Sequence, residues 1–274
     1  MIRDIVVVLE ADDPGKRVES YAISLAKLLD SHLVGIAIAY VTQQPHMFDI
    51  DAKLLEDWRI EKEKAADAAV SSFLEATREA NISADAHKIT TNFVEAGDVF
   101  ASIARRFDMS IVGQAEPHKG GATSLIIEAA LFISGRPVVV VPSSYNLHFK
   151  LHRITVCWDG SRYAVRAIIG AMPLLHRARE IDLLTVTGEL PKSKESPYGD
   201  IGQYFARHAL PVSVTQIEKG EIGVSNTILN FVAARSTDLL VMGSYGHPRL
   251  REIILGGVTR DMLQAMKIPV LMSH

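Results

Sequence analysis

The chain has 274 residues, a formal net charge of −3, and 48% hydrophobic residues. This length accommodates one large domain or two of ordinary size, since domains usually contain about 100–200 residues. The composition excludes a disordered or collagen-like chain, and the charge gives no basic footprint for nucleic acid or acidic lipid. The single cysteine, Cys157, cannot form an intramolecular disulfide and is typical of a reducing compartment.

The chain shows no targeting or membrane segment. Its first residues lead straight into an apolar run, without the basic region and cleavage site of a signal peptide. The longest apolar stretch, Leu33 to Val41, has nine residues, whereas a membrane-spanning helix needs about 20. We therefore expect a cytoplasmic protein with no membrane partner and no nucleic-acid partner.

The first half of the chain alternates short apolar runs with segments of helical periodicity. The predicted order is strand Ile5–Leu9, helix Ser20–Leu29, strand Leu33–Val41, helix Leu54–Ala80, strand Ala84–Ile89, helix Val99–Phe107, strand Ser110–Gly113, helix Ser124–Ile133 and strand Pro137–Val141. On the long helix, Leu54, Trp58 and Phe73 are predicted to share one packed face. Strands of nearly continuous Val, Ile and Leu indicate a parallel sheet covered on both faces.

The second half repeats this pattern, with a shorter middle helix near Asp200–Ala209. Three matched pairs occur in the same order: Arg3–Val8 with Arg153–Trp158, Phe107–Gly113 with Ser236–Gly243, and Pro137–Val141 with Pro269–Met272. Repetition in one order indicates two copies of one structural unit. We predict two five-stranded, parallel, doubly wound α/β domains in tandem, at residues 1–143 and 151–274, with a linker at 144–150.

A glycine-rich stretch follows the predicted strand Leu239–Met242. Gly243, Gly246, Gly256 and Gly257 flank a loop and the start of a helix. Glycine lets backbone N–H groups approach an anion closely, and a helix N-terminus carries partial positive charge, so this pattern favours phosphate binding. The chain contains neither a P-loop sequence nor a G-x-G-x-x-G dinucleotide fingerprint.

The spacing of these glycines resembles a family signature. Two residues separate Gly243 from Gly246 and nine separate Gly246 from Gly256, which is similar to the G-x2-G-x9-G-[S/T] motif of universal stress proteins. Asp159-Gly160-Ser161 follows the first strand of the same half, as the Asp-x-Ser of that family does. The chain therefore resembles a tandem universal stress protein, which implies Rossmann-like domains of the adenine nucleotide alpha hydrolase-like type.

This resemblance implies binding of ATP or ADP, usually with Mg²⁺, in the second half. It implies phosphate contacts from the backbone of the four glycines, Asp159 near the ribose and adenine, and Val186 near the adenine. The other predicted binding residues are Gly160, Ser161, His247, Arg249, Val258 and Thr259. Taken singly, each glycine can equally serve a turn or a close helix–strand contact, and His247 and Arg249 can equally lie on a solvated surface.

Two departures from the family pattern qualify the prediction. Gly257 stands where the family has Ser or Thr, so the hydroxyl that would touch the terminal phosphate is missing. In the first half, Glu116 replaces the second glycine, Ser124-Leu125 replace the last two, and Glu10 opens an acidic stretch without Asp-x-Ser. We predict that the first half does not bind nucleotide in the family manner.

The sequence thus predicts a stress-response regulatory protein that binds an adenine nucleotide through its second domain. Two alternatives stay open, a nucleotide-independent protein-interaction module and a slow ATPase, and no residue is assigned a catalytic role. The apolar strands Val138–Val141 and Val270–Met272 would be exposed sheet edges in isolation. We expect these edges to pair within the chain as a pseudo-dimer, and a homodimer is a further expectation.

Overall fold

A computed structural model describes residues 1–10, 16–41, 52–115, 122–145, 149–188, 200–244 and 257–274. The chain divides into two compact units, Met1–Phe149 and Lys150–His274. The ring of Phe149 packs edge-on against Tyr21 at a centroid distance of 5.2 Å, and Tyr145 does so at 5.7 Å. Both ends of the predicted linker that the structure describes are therefore packed against the first unit.

The first unit contains five strands and four helices among its described residues. They are β1 (Asp4–Leu9), α1 (Arg17–Leu29), β2 (His32–Tyr40), α2 (Ala52–Glu79), β3 (Ala84–Thr91), α3 (Ala96–Ala104), β4 (Met109–Gly113), α4 (Thr123–Phe132) and β5 (Val138–Val141). The strand order is β3-β2-β1-β4-β5, and neighbouring strands are parallel.

The second unit repeats this arrangement. Its elements are β6 (Arg153–Cys157), α5 (Arg162–Leu175), β7 (Glu180–Thr187), α6 (Ile201–Arg207), β8 (Ser213–Glu218), α7 (Gly223–Ala234), β9 (Leu239–Gly243), α8 (Gly257–Ala265) and β10 (Val270–Ser273). The strand order is β8-β7-β6-β9-β10, again with parallel neighbours. The predicted fold class, a repeated doubly wound parallel α/β fold, is confirmed. Among the described helices, none is both long and apolar enough to cross a bilayer.

One aspartate at the same place in each unit joins two central strands. Asp108 accepts hydrogen bonds from the backbone N–H groups of Arg3 (2.7 Å) and Asp4 (3.2 Å). Asp238 does the same for His152 (2.8 Å) and Arg153 (2.9 Å). Each carboxylate therefore satisfies N–H groups at the start of the first strand of its unit, just before the neighbouring strand begins.

The N-terminal half of α2 departs from the predicted packing. Trp58 and Leu54 are 47% and 43% exposed, whereas Phe73 is fully buried. The prediction that all three share one packed face was wrong. With 28 residues, α2 is about 42 Å long, longer than the strand β2 of nine residues at about 30 Å. Only the second half of the helix therefore covers the sheet.

An ion-pair network stabilises the second sheet near the amino-terminal ends of its strands. Asp182 in β7 is only 1% exposed, and it accepts hydrogen bonds from Arg235 (2.6 Å) and Arg153 (3.0 Å). Burial raises the pKa of Asp182, but the hydrogen bonds from the two arginines outweigh burial, and the net pKa is lowered. Val34 holds the corresponding register position in the first unit, so the network belongs to the second unit.

Replacing Asp182 with Asn should lower the free energy of unfolding of the second unit at pH 7 by about 1–2 kcal/mol. Hydrogen bonds to charged groups contribute about 1.5–3 kcal/mol, and solvent around the half-exposed Arg235 weakens the pair. Because the folded-state pKa is lowered, the stabilisation is present above the ordinary value of about 3.9 and is lost as the pH falls through the lowered pKa. The difference between variant and parent should therefore narrow below about pH 4.

Urea unfolding at pH 7 and at pH 3.5, followed by circular dichroism, measures this difference. Asp57→Asn, on the exposed half of α2, serves as the control and should unfold like the parent at both pH values. Equal stability of Asp182→Asn and the parent at pH 7 would contradict the stabilising role of the network.

Candidate functional site

The candidate site lies at the carboxyl end of the second sheet, between β6 and β9. The strand order reverses at this pair, because β6 is flanked by β7 on one side and by β9 on the other. In open parallel sheets, the crevice at such a switch point is where ligands bind. The residues that follow β6 and β9 therefore make up the candidate site.

The turn after β6 is built by its own side chains. Asp159 Oδ1 accepts a hydrogen bond from the backbone N–H of Ser161 at 2.9 Å. Gly160 has a φ of +74°, a conformation that glycine adopts at little cost. Ser161 Oγ accepts from the N–H of Ala164 at 3.2 Å and so caps the N-terminus of α5. Asp159, Gly160 and Ser161 thus form one tight turn, which holds the exposed Asp159 carboxylate beside the start of the helix.

Gly243, the last residue of β9, lies directly against this helix start. A Cβ placed on Gly243 would stand 2.6 Å from the backbone nitrogen of Ala164 and 2.7 Å from the carbonyl carbon of Tyr163. No side chain fits there without moving the backbone of α5. Glycine is therefore required at position 243 for packing, and the structure brings Gly243 together with the turn at Asp159–Ser161.

The described part of α8 begins at Gly257 and continues through Val258 and Thr259. Gly257 is exposed, whereas Thr259 is buried. Among the described residues, nothing lies within 4 Å of a Cβ placed on Gly257.

The other predicted site residues divide into two groups. Val186, near the end of β7, is half-buried at the same carboxyl edge as the turn after β6. Gly246, His247, Arg249 and Gly256 lie outside the described residues.

Sequence reasoning missed an aromatic and cationic cluster beside Gly243. The ring of His274 stacks on Tyr163 at a centroid distance of 4.6 Å, and the Arg162 guanidinium lies 4.8 Å from the centre of the Tyr163 ring. Arg166 Nη1 donates to the carbonyl of His274 at 2.7 Å. No short motif links these residues, because the fold alone brings position 274 next to the start of α5.

The charge at this edge also affects its titratable groups. Burial, together with the negative charge of Asp159, raises the pKa of the Cys157 thiol to about 12. This thiol is therefore neutral at pH 7, whereas a nucleophilic cysteine needs its thiolate form. Burial lowers the pKa of His274, so its ring is mostly neutral at pH 7.

The corresponding crevice of the first unit carries a carboxylate instead. A Cβ placed on Gly113, at the end of β4, would stand 2.6 Å from Oε1 of Glu10. In the second unit the backbone of α5 fills the equivalent space beside Gly243. In the first, α1 starts only at Arg17, after Lys16 at a φ of +45°, and no described side chain caps it. Glu10 thus occupies space that a helix start fills in the other unit.

Comparison with known proteins identifies the second unit. Residues 150–274 match the model of the universal stress protein family. A universal stress protein of Synechocystis is 24% identical over 184 residues, an alignment that covers 64% of this chain and 60% of that protein. The chain thus matches less than two thirds of the length of this relative.

Solved structures resemble the whole chain in fold. A universal stress protein of Archaeoglobus fulgidus is 16% identical, with a TM-score of 0.72, over 98% of this chain and 97% of that one. A functionally unknown protein of Pseudomonas aeruginosa is 14% identical, with a TM-score of 0.67, over 99% of this chain and 92% of that one. At such identities the likeness concerns the fold alone.

The fold defines the second unit as a doubly wound α/β domain with its candidate site at the β6/β9 switch point. The match to the universal stress protein family covers residues 150–274, less than half of the chain. Membership of that family stays a prediction for both units.

Replacing Glu10 with Gln should lower the pKa of Tyr40. Burial and the charge of Glu10 together raise this pKa to about 12. Because burial is the larger cause and persists in the variant, the pKa should stay above its ordinary value of about 10. Ultraviolet titration of tyrosinate, with Tyr40→Phe variants of both proteins subtracted, isolates this group. An unchanged titration would contradict the placement of the Glu10 carboxylate near Tyr40.

Proposed function

We propose that this protein is a stress-response regulatory protein that binds an adenine nucleotide, ATP or ADP, through its second unit. One observation carries the proposal: the start of α5, which directly follows the Asp159–Ser161 turn, packs against Gly243 at the switch point of a unit that matches the universal stress protein family. A carboxylate, a capped helix start and the end of β9 thus meet in one crevice. The resemblance to universal stress proteins implies that the nucleotide binds there.

The residues of the site suit the chemistry of a nucleotide. The Asp159 carboxylate accepts hydrogen bonds, and ribose hydroxyls donate them. Val186 supplies an apolar contact for the base. Gly257, Val258 and Thr259, in the described part of α8, would lie near the phosphates, as the resemblance implies, and the missing Cβ of Gly257 would let an anion approach its backbone.

The same proposal gives the remaining predicted residues a role at the phosphates. Gly246 and Gly256 would provide further backbone N–H groups, and His247 and Arg249 would provide positive charge. Mg²⁺, bound with the nucleotide, would neutralise part of the phosphate charge.

In this proposal the first unit binds no nucleotide. The Glu10 carboxylate next to Gly113 places negative charge at the switch point of that unit, where a phosphate would be repelled. One nucleotide per chain is the consequence.

A protein-interaction role is the second candidate, and it has its own supporting observation. Leu54 and Trp58, one helical turn apart, expose apolar side chains on the N-terminal half of α2, and Ile60 is exposed on another side of the helix. Adjacent exposed large apolar side chains are typical of interaction sites. The two roles are compatible, because the exposed half of α2 and the proposed nucleotide crevice belong to different units. Pairing of the edge strands, homodimer formation and slow ATP hydrolysis stay predictions from the sequence.

Isothermal titration with ATP and Mg²⁺ should show one binding site per chain, and Asp159→Asn should weaken it about tenfold. The Asn side chain keeps the oxygen that accepts from the Ser161 N–H and therefore preserves the turn. The variant loses a charge-assisted hydrogen bond to the ribose, which contributes about 1.5–3 kcal/mol. No binding at millimolar ATP would refute the proposal, and two sites per chain would refute its restriction to the second unit.

Replacing Gly257 with Ser should strengthen ATP binding about tenfold. Gly257 is exposed, and no described residue stands within 4 Å of a Cβ placed on it. The added hydroxyl can donate to a phosphate oxygen, a charge-assisted bond of about 1.5–3 kcal/mol. Gly257→Ala is the matched control, because it adds the same Cβ without a hydroxyl. Equal affinities for the Ser and Ala variants would contradict a phosphate position next to residue 257.

A further inference from the structure

We propose that His274 is a positioning residue that holds the backbone at Gly243 and Ser244, where the phosphate end of the crevice begins. The inference deepens the proposed function and rests on it for its effect on nucleotide affinity. The contacts that carry it lie entirely within the described residues of the second unit, and none of them involves a ligand.

Ser244 is fixed by contacts to both residues at the end of the neighbouring strand. It is completely buried. Its N–H and its hydroxyl both donate to the carbonyl of Ser273, at 2.9 and 3.0 Å. Its own carbonyl lies 3.4 Å from Nδ1 of His274. A carbonyl oxygen only accepts, so Nδ1 carries the hydrogen of this bond.

His274 is itself held from two sides by α5. Its ring is stacked on Tyr163 with an angle of 27° between the planes, and its carbonyl accepts from Arg166. An imidazole fixed in this way presents Nδ1 to Ser244 in one orientation. The orientation is set by the helix, whose start is in turn set by the cap at Ser161.

Tyr163 contacts both Gly243 and His274. Its backbone lies against Gly243, where a placed Cβ would be 2.7 Å from its carbonyl carbon, and its ring supports His274. Gly243 and Ser244 are therefore held between the start of α5 and His274, the residue that follows β10. Without the His274 contact, the carbonyl of Ser244 loses this hydrogen bond, and the backbone at this end of β9 becomes more mobile.

The test separates the hydrogen bond from the stacking. His274→Phe retains an aromatic ring on Tyr163 but has no donor for the Ser244 carbonyl. His274→Gln loses the ring but can donate from its amide nitrogen. His152→Phe, at the opposite end of the second sheet, is the matched control for a histidine-to-phenylalanine change.

Three measurements give the expected result. Nitrogen-15 NMR of the parent protein should show His274 with its hydrogen on Nδ1. The amide of Ser244 should exchange with solvent about fivefold faster in His274→Phe, the effect expected on losing one ordinary hydrogen bond. The dissociation constant for ATP with Mg²⁺ should rise by a similar factor, and His274→Gln should restore part of both losses.

Other outcomes overturn the inference. A hydrogen on Nε2 alone, or unchanged exchange at Ser244 in His274→Phe, would show that His274 does not hold this backbone. Changes of the same size in His152→Phe would mean that the effect is not specific to the site. If the parent binds no nucleotide, the proposed function fails, and the tautomer and the amide exchange still decide the positioning role.

Discussion

The second unit depends on one close approach between two backbones, that of Gly243 at the end of β9 and that of Tyr163 and Ala164 at the start of α5. Only a residue without a Cβ allows it. The turn at Asp159–Ser161 makes the approach possible, because it leads from β6 into a capped helix within four residues. The Asp159 carboxylate is thereby held just before the helix start that packs against Gly243.

The comparison between the two units shows how a small local change alters a shared fold. Both have the same strand order, and in both an aspartate just before the fourth strand accepts hydrogen bonds from the start of the first strand. In the first unit, however, the connection from β1 to α1 is longer, and Glu10 fills the space against Gly113. The same topology therefore places a buried helix start beside the glycine in one copy and a carboxylate beside it in the other.

The two edges of the second sheet carry different kinds of polar residues. At the amino-terminal edge, Asp182 is buried and fully engaged with Arg153 and Arg235, an arrangement that stabilises the unit. At the carboxyl edge, Asp159 is exposed, its carboxylate standing beside a helix start. A carboxylate that is to bind a ligand must remain accessible, whereas one that stabilises a sheet is best surrounded by donors. Because the two groups of residues lie at opposite ends of the strands, substitutions at the candidate site leave the stabilising network intact.

The sequence by itself determined the order of elements, the parallel sheets and the repeat, because apolar strands and periodic helices are local patterns that recur in both halves. It also singled out Asp159-Gly160-Ser161 after the first strand of the second half, since these residues are consecutive in the chain. Only the tertiary structure decided that Trp58 is exposed, since this depends on how far the sheet extends beneath α2. Only the tertiary structure placed Glu10 against Gly113, and His274 against Tyr163 and Ser244. Such contacts join residues 30 to more than 100 positions apart, and no local pattern records them. Glycine at position 243 was visible in the sequence, but the physical reason for it, a helix backbone too close for any side chain, became visible only once the chain was folded.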